Sequence, residues 1–303
     1  MTRIQHFRNL VAAGSLWRRL ALLVVIFLPA AAATAQTFSV VNSFDSVASA
    51  NGYNPVAPLA QGPDGTLYGT ASAGGSHAFG MVYKVQPDGT GYSVLWNFSG
   101  GSDGGTPDAG LVLAGDTLYG TAYTGGSSGY GIIFAVNTDG RGFTNLYSFT
   151  GGLDCGNPYA GMILSGGTLY GTTTGESSAI QNYGSIFKIS TNGSGFTVLK
   201  TFEGGDGANP YGGLLLSGNL LYGTTESGTP GYGTVFRVSI IGTDFTTLYS
   251  FTDGNDGGNP YGGLLLAGSE LFGTTQSGGT NGLDVPLRGA DRSKQGLFLH
   301  ALR

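Results

Sequence analysis

Residues 118–121 read Leu-Tyr-Gly-Thr, and this phrase decides the fold because it returns along the chain at an almost constant spacing. It occurs at residues 67–70, 118–121, 169–172 and 221–224 and, as Leu-Phe-Gly-Thr, at 271–274. Successive copies begin 51, 51, 52 and 50 residues apart. A period of about 40–50 residues is typical of propellers and stacked arrays, in which one supersecondary unit is repeated.

Each copy of the phrase lies in a unit that predicts four short antiparallel strands. In the copy at 109–149 we expect them at residues 110–113, 117–123, 132–136 and 143–149. Asp139-Gly140 separates the last two, and an Asp-Gly pair between apolar runs favours a hairpin because tight turns need positive φ. Four strands in about 50 residues make one propeller blade. The sequence therefore predicts an all-β, β-propeller-like array of four-stranded blades, with four complete repeats, a partial fifth and an incomplete ring.

The glycine of the phrase has a packing explanation. Leu118 and Gly120 face one side of their strand, and Tyr119 faces the other. We expect each such glycine to make room for an aromatic side chain of the third strand, at Tyr83, Phe134, Phe187 and Phe236. These aromatics are accordingly interpreted as core residues.

The composition agrees with a turn-rich β protein. The chain has 303 residues, of which 57 are glycine and only 10% are charged. Glycine supplies positive φ in tight turns without steric cost. No stretch after residue 36 shows a sustained 3.6-residue apolar period, which argues against helices.

Residues 1–35 are interpreted as a cleaved secretory signal peptide. Four arginines precede an apolar run at 20–28, and an Ala-rich stretch ends at Ala35. The alternative, an uncleaved membrane anchor, fits less well because a span needs about 20 apolar residues. Removing the segment changes the formal net charge from −5 to −9, and nucleic-acid binding needs clustered Lys and Arg instead. We expect a secreted, periplasmic or cell-surface protein that begins at Gln36, binds no nucleic acid and has no transmembrane span after cleavage.

Two sets of repeated residues form the candidate binding site. One is the tyrosine that follows Asn-Pro at the start of a repeat, and the other is an aspartate in the loop before it. The residues are Tyr159, Tyr211 and Tyr261 together with Asp103, Asp154, Asp206 and Asp256. Aromatic rings beside carboxylates suit sugars, because the ring stacks on the sugar and the carboxylate accepts hydrogen bonds from hydroxyls. The competing interpretation is structural, since Asp and Asn brace turns through nearby backbone N–H groups.

Metal binding and catalysis have weaker support in the sequence. A Ca²⁺ site needs about six to eight oxygen ligands, and one Asp and one Asn per loop supply too few, so no cofactor is expected and Ca²⁺ is the weaker alternative. His77 is the only histidine of the repeats, and Cys155, the only cysteine, lies where the next two repeats have Gly207 and Gly257. A catalytic pair should occur once and break the pattern. We therefore expect no catalytic residues, with a polysaccharide-acting hydrolase or lyase as the alternative function.

On these motifs the chain resembles the GloVer tandem-repeat, or choice-of-anchor, family of exported bacterial proteins. That family's repeat runs close to LYGTT, GG, GTVF, DG and NPY, which occur here at residues such as 221–225, 233–236 and 259–261. The resemblance covers about residues 38–282. It implies a β-propeller-like secreted or surface protein and implies no catalytic residues. The expected function is that of a binding or structural scaffold for an extracellular glycan or an envelope component, with a purely adhesive module as a further alternative.

The pattern breaks after residue 282. Residues 283–303 form a divergent tail that is rich in arginine, and both a shifted reading frame and a disordered end explain it. Residues 37–44 predict a lone fourth strand, which would finish the last blade, although the third strand of that blade is missing. We therefore expect an exposed edge that is open to self-association.

Overall fold

The computed structural model describes residues 40–41, 43, 52–175, 182–279 and 296–298. The chain divides into residues 1–40 and a compact unit of residues 41–303, which holds all the strands. The described ranges contain strands and no helix, so the prediction of an all-β fold is confirmed. The predicted signal peptide at 1–35 lies outside the described residues, as does all of the tail except residues 296–298.

The strands form five antiparallel sheets, one for each repeat. The first sheet contains β1 (Ala60–Gln61), β2 (Leu67–Ala71), β3 (Met81–Val85) and β4 (Ser93–Asn97). The second contains β5 (Val112–Ala114), β6 (Thr117–Ala122), β7 (Ile132–Asn137) and β8 (Thr144–Ser148). The third contains β9 (Ile163–Ser165), β10 (Thr168–Thr173), β11 (Ser185–Ser190) and β12 (Thr197–Thr201). The fourth contains β13 (Leu215–Ser217), β14 (Leu220–Thr225), β15 (Thr234–Ser239) and β16 (Thr246–Ser250). The fifth contains β17 (Leu265–Ala267), β18 (Glu270–Thr275) and β19 (Gly296–Phe298).

Each complete sheet runs in chain order, so consecutive strands are joined as hairpins. The four strands predicted for residues 109–149 are all present, and their ends differ from the prediction by at most two residues. The third and fourth strands shift register at the same place in every complete sheet, in the second sheet between Ile133 and Phe134. One repeated sequence therefore produces one repeated hydrogen-bond pattern.

The predicted contact between glycine and aromatic residue is confirmed. Gly120 is paired with Phe134 in the ladder between β6 and β7. A Cβ atom placed on Gly120 would lie 2.5 Å from Cζ of Phe134, far inside van der Waals contact. Phe134 is fully buried. Glycine is needed here because the aromatic ring crosses directly over the backbone of the neighbouring strand.

The hydrophobic cores lie between neighbouring sheets. On one face of the second sheet, Leu118 and Phe134 pack with Phe98 of the first sheet. On the other face, Tyr119 packs in a core with Phe187 of the third sheet. The same arrangement joins the third sheet to the fourth and the fourth to the fifth. No core cluster within the described ranges joins the fifth sheet to the first, so the series of sheets is not closed.

The Asn-Pro pair fastens each sheet to the one before it. Asn157 has a φ of 57°, a left-handed conformation that Asn tolerates better than most residues. Its N–H donates to the carbonyl of Tyr130 in the preceding repeat (2.7 Å), and its own carbonyl accepts from the N–H of Thr174 (3.0 Å). The next residue, Pro158, is buried against Gly131, where a Cβ atom would lie 2.7 Å from the proline Cδ. The repeated Asn-Pro is therefore a structural junction.

The fifth sheet is partial, as predicted, but a short third strand pairs with β18. Three residues of the tail form β19, in which Phe298 is paired with Gly273 of β18. This segment does not match the third strand of the other repeats in sequence, and it pairs with β18 because β18 offers backbone N–H and C=O groups. β19 has three residues, whereas β15 of the complete fourth sheet has six.

The lone fourth strand predicted at 37–44 lies mostly outside the described residues. Val41, which is described, is not in a strand, but it packs against the first sheet. Its backbone lies against Gly89 in the place that Leu95 takes against Gly140 in the next sheet. Val41 therefore occupies the position of a fourth-strand residue from a preceding blade.

Candidate functional site

The structure brings the three predicted tyrosines together. The ring centroids of Tyr159 and Tyr211 are 5.1 Å apart with their planes at 87°. Those of Tyr211 and Tyr261 are 4.7 Å apart and nearly parallel, at 9°. Tyr123 extends the series, with its ring centroid 6.2 Å from that of Tyr159. We call these four residues the tyrosine row. Edge-to-face and offset arrangements at these distances are favourable for aromatic rings.

Close backbone approach explains why tyrosines from three repeats meet. Two residues after each tyrosine lies a glycine: Gly161, Gly213 and Gly263. A Cβ atom on Gly213 would lie 3.7 Å from the carbonyl oxygen of Gly161, and one on Gly263 would lie 3.2 Å from that of Gly213. The inner segments of successive sheets thus run side by side, so the side chains that precede these glycines stand in line.

Two carboxylates lie beside members of the row. Asp108 follows Pro107 at the position that tyrosine takes in the later repeats. Burial raises the pKa of Asp108, and a hydrogen bond from Ser72 offsets only part of that increase. Burial, together with the charge of Asp108, raises the pKa of Tyr159. The two residues are therefore electrostatic neighbours.

The second carboxylate belongs to Glu226 and lies beside Tyr261, the last member of the row. The hydroxyl of Tyr261 donates to its Oε1 atom at 3.1 Å. Tyr261 is also the most accessible of the three predicted tyrosines, with 40% of its surface exposed, whereas Tyr159 and Tyr211 are half-buried. The row thus ends in an exposed ring beside an acceptor, a combination that can contact a sugar ring and its hydroxyls.

The four predicted aspartates have another role in the structure, because their oxygens are engaged inside their own loops. Asp154 is the clearest case, since it is buried. It accepts from the N–H and hydroxyl of Thr150 at 2.7 and 2.8 Å, and from the hydroxyl of Tyr147 at 3.0 Å. Burial, followed by this bond to Asp154, raises the pKa of Tyr147 to about 12, so the phenol stays protonated and donates.

The other three aspartates repeat the pattern with local variation. Asp256 accepts from the N–H and hydroxyl of Thr252 and from the hydroxyl of Tyr249. The corresponding donors to Asp103 are the N–H and hydroxyl of Ser99. Asp206 accepts from the N–H of Glu203 at 2.8 Å and forms an ion pair with Lys200 at 2.5 Å. Each carboxylate closes a turn, so the bracing interpretation fits this geometry.

Neither a metal-binding cluster nor a membrane-spanning helix occurs among the described residues. Nowhere in these ranges do three His, Cys, Asp or Glu side chains gather closely enough to hold a metal ion. No helix in the same ranges is long and apolar enough to span a membrane.

A cavity of about 480 Å³ lies in the loop that contains Asp206, although Asp206 itself is not part of its wall. Its walls come from the loops of the third and fourth repeats and include Tyr183, Glu203, Asn209 and Thr229. None of the seven residues predicted as ligand-binding lines it. Most of its remaining wall is glycine and other small residues, which supply few side-chain groups for recognition.

Sequence reasoning missed three members of the site. Asp108 stands where the pattern expects tyrosine, and this departure is the signal that marks it. Glu226 is an acid that no sibling repeat shares, directly after the repeated phrase. Tyr123 has no such signal, since its place in the row depends on how two sheets pack.

Five sheets with a repeated register and a core between each neighbouring pair define a β-propeller-like tandem-repeat scaffold. The chain belongs to the Gloeobacter/Verrucomicrobia repeat family, whose model matches residues 30–231 and 176–285. This confirms the resemblance inferred from the repeats. A comparison with curated protein sequences gives no significant match.

Several solved structures match this chain at low sequence identity. A chain from the crystal structure of a nidogen/laminin complex matches with a TM-score of 0.50 and 19% identity, over 73% of this chain and 72% of that chain. The GH74 enzyme of Niastella koreensis matches with a TM-score of 0.47 and 18% identity, over 71% of this chain and 36% of its own. A putative TolB from Agrobacterium tumefaciens matches with a TM-score of 0.44 and 12% identity, over 63% of this chain and 64% of that chain. The likeness to the nidogen/laminin chain concerns the fold alone.

Proposed function

We propose that this repeat scaffold is exported and binds carbohydrate through the tyrosine row. The observation that carries the proposal is the line of tyrosines contributed by successive repeats, with the carboxylate of Glu226 accepting from Tyr261. Aromatic faces stack on the apolar faces of sugar rings, and carboxylates accept hydrogen bonds from sugar hydroxyls. A row across several repeats suits an extended ligand better than a small compact one.

The arrangement favours binding over turnover. Glycoside cleavage needs two carboxyl groups about 5–10 Å apart that flank one bond. Asp108 neighbours Tyr159 and Glu226 accepts from Tyr261, so each carboxylate adjoins a different tyrosine rather than the other carboxylate. We therefore propose a scaffold without catalytic activity.

The proposal that the protein is exported rests on the sequence of the first 35 residues and on the acidic net charge of the remaining chain. The proposed location is the periplasm, the cell surface or the medium, where extracellular glycans and envelope polymers occur. N-terminal sequencing of protein from the envelope and medium of the producing cell is expected to begin at Gln36. A protein found intact from Met1 in the cytosol would contradict export.

Carbohydrate binding is tested with one variant and one matched control. We expect the protein without residues 1–35 to bind selected polysaccharides on a glycan array, with affinities then measured by isothermal titration calorimetry. Tyr261→Ala removes the exposed ring of the row and should weaken binding about tenfold or more. Tyr232→Ala removes a tyrosine of similar exposure, 38% against 40%, elsewhere on the surface and should leave binding unchanged. Equal effects of the two substitutions would contradict the proposed site, and no binding to any glycan would favour a purely structural or adhesive module.

A further inference from the structure

The loop between the third and fourth sheets departs from its sibling loops at one position. In the other three loops, the residue after the phenylalanine has a hydroxyl that donates to the loop aspartate. These residues are Ser99, Thr150 and Thr252. The loop between the third and fourth sheets has Glu203 there instead. An ionised carboxylate cannot donate a hydrogen bond, and Lys200 pairs with Asp206 in its place.

The side chain of Glu203 is therefore not used by its own loop. Its backbone N–H donates to Asp206 at 2.8 Å, but no described residue donates to its carboxylate or pairs with it. Glu203 is exposed and lines the cavity of about 480 Å³. An acid that breaks the repeated pattern and lines a cavity without a structural partner among the described residues is available to a ligand.

A shortened loop forms the opposite wall of this cavity. Between its second and third strands the fourth repeat has residues 226–233, one fewer than residues 123–131 of the second repeat. In the second repeat the N–H of Gly126 donates to the carbonyl of Gly101 at 2.8 Å. The corresponding bond in the fourth repeat, from Thr229 to Gly205, is longer, at 3.4 Å. The two loops are thus held less closely here, and both line the cavity.

An aromatic ring forms another part of the wall. A Cβ atom on Gly204 would lie 2.9 Å from Cζ and 3.1 Å from both Cε atoms of Tyr183, so one face of the ring lies on this glycine. Phe79 and Tyr130 lie in the same way on the corresponding glycines of the earlier loops. The repeat therefore fixes the orientation of the ring, and Tyr183 adds a rigid aromatic surface to the wall that contains Glu203.

The charge around the cavity favours a cationic ligand. Glu203 is the one charged side chain that the described residues place in the wall. The loops that join successive sheets each contain aspartate or glutamate but no lysine or arginine, as residues 98–111, 149–162, 202–214 and 251–264 show. The nearby Lys200 is already paired with Asp206. A carboxylate and an aromatic ring together bind an ammonium group, through a charge-assisted hydrogen bond and a cation–π contact.

We propose that this cavity is a second binding site and that its ligand is a small amino sugar with a free ammonium group. Glu203 accepts a hydrogen bond from the ammonium group, and Tyr183 packs against the sugar ring. Asn209, Ser227 and Thr229 supply amide and hydroxyl groups for the sugar hydroxyls. A volume of about 480 Å³ is within the range of small-molecule sites. The proposal does not depend on carbohydrate binding at the tyrosine row.

Isothermal titration calorimetry with D-glucosamine tests this site, with D-glucose as the neutral ligand of the same ring. We expect the protein without residues 1–35 to bind glucosamine, and to bind glucose at least about tenfold more weakly. Glu203→Gln removes the negative charge and should weaken glucosamine binding about tenfold or more. Glu270→Gln is the matched control, because it makes the same change on β18 of the fifth sheet, and it should leave binding unchanged.

A further variant separates ligand binding from folding. Glu203→Thr introduces the residue of the preceding loop, where the hydroxyl of Thr150 donates to Asp154 at 2.8 Å. It should lose glucosamine binding and be at least as stable in urea as the parent. A parent that does not bind glucosamine, equal affinity for the two sugars, or unchanged binding in both Glu203 variants would each overturn the proposal. Loss of glucosamine binding in Tyr261→Ala with full binding in Glu203→Gln would also overturn it, because the sugar would then bind at the tyrosine row.

Discussion

The aspartate loops and the tyrosine row are repeated with equal regularity in the sequence but behave differently in the structure. Asp154 meets its hydrogen-bond donors, Thr150 and Tyr147, within eight residues of chain. Tyr211 instead meets Tyr159 and Tyr261, which belong to the repeats before and after its own. The aspartate completes a turn inside one repeat, whereas the tyrosine forms a surface that exists only when several repeats are stacked.

This difference separates residues that fold the repeat from residues that a stack of repeats can use for recognition. Repetition alone does not separate them, because folding and binding both recur once per unit. The two roles are distinguished by whether the partners of a side chain lie in its own loop or in neighbouring repeats. Hydrogen bonds within one loop, as at Asp154, indicate a structural role, whereas ring contacts across repeats, as at Tyr211, indicate a shared surface.

The largest effect is expected at the buried aspartate. Asp154→Ala leaves three donors of Thr150 and Tyr147 without their acceptor and should lower the free energy of unfolding by about 3 kcal/mol. Asp139→Ala is the control, because Asp139 accepts from the N–H of Arg141 in an exposed hairpin turn and should cost less than about 1 kcal/mol. Urea denaturation measures both. Similar losses for the two variants would mean that the aspartate loops are not structural.

A smaller effect is expected where the third repeat departs from its siblings. Cys155 has a φ of 68° at a position where Gly207 and Gly257 also have positive φ. Ser185 lies within hydrogen-bonding reach of the Cys155 thiol, while the fourth repeat combines Gly207 with Thr234. Ser185→Thr should therefore overpack the site and cost about 1–2 kcal/mol.

The double variant Cys155→Gly/Ser185→Thr recreates the pair of the fourth repeat and should recover most of that loss. Urea denaturation of the parent, the two single variants and the double variant completes this double-mutant cycle. Additive effects of the two substitutions would show that the residues vary independently and that the packing account is wrong.

Asp256 of the aspartate loops and Asp108 beside the row differ in the sign of their pH dependence. Partial burial would raise the pKa of Asp256, but the hydrogen bonds from Thr252 and Tyr249 outweigh it and lower the pKa. Asp256 therefore adds stability above its unfolded pKa of about 4, and that stability is lost as the pH falls through the folded pKa. Asp108 behaves oppositely, because burial raises its pKa and its charge lowers stability as the pH rises through that value.

Asparagine variants make this contrast measurable. Asp256→Asn should be less stable than the parent at neutral pH, with the difference vanishing in acid. Asp108→Asn should be more stable than the parent at neutral pH, and that difference should also vanish in acid. Thermal unfolding recorded from neutral to acidic pH measures both differences. A stability change of the same sign in Asp256→Asn and Asp108→Asn would contradict the contrast between these two aspartates.

The sequence predicted the repeat unit well because its determinants are local. The spacing of the phrase predicted the sheets, and Gly120 predicted the place of Phe134, because both features follow from strand alternation within one hairpin. The row itself was not predictable to the same degree. Whether Tyr123 meets Tyr159 depends on how two sheets stack, and the role of Asp108 depends on a single departure from the pattern. The tail segment that pairs with β18 was not predicted, because the tail departs from the repeated pattern.

The most direct test of the distinction measures stability and binding in the same two variants. Unfolding free energy and affinity for the bound glycan are determined for Asp154→Ala and Tyr261→Ala, with binding measured at a temperature at which both are folded. We expect Asp154→Ala to lose about 3 kcal/mol of stability and to keep its affinity. Tyr261→Ala should lose only about 1 kcal/mol of stability, from its ring contact with Tyr211, and bind about tenfold more weakly or worse. Loss of affinity in Asp154→Ala together with unchanged affinity in Tyr261→Ala would contradict the account.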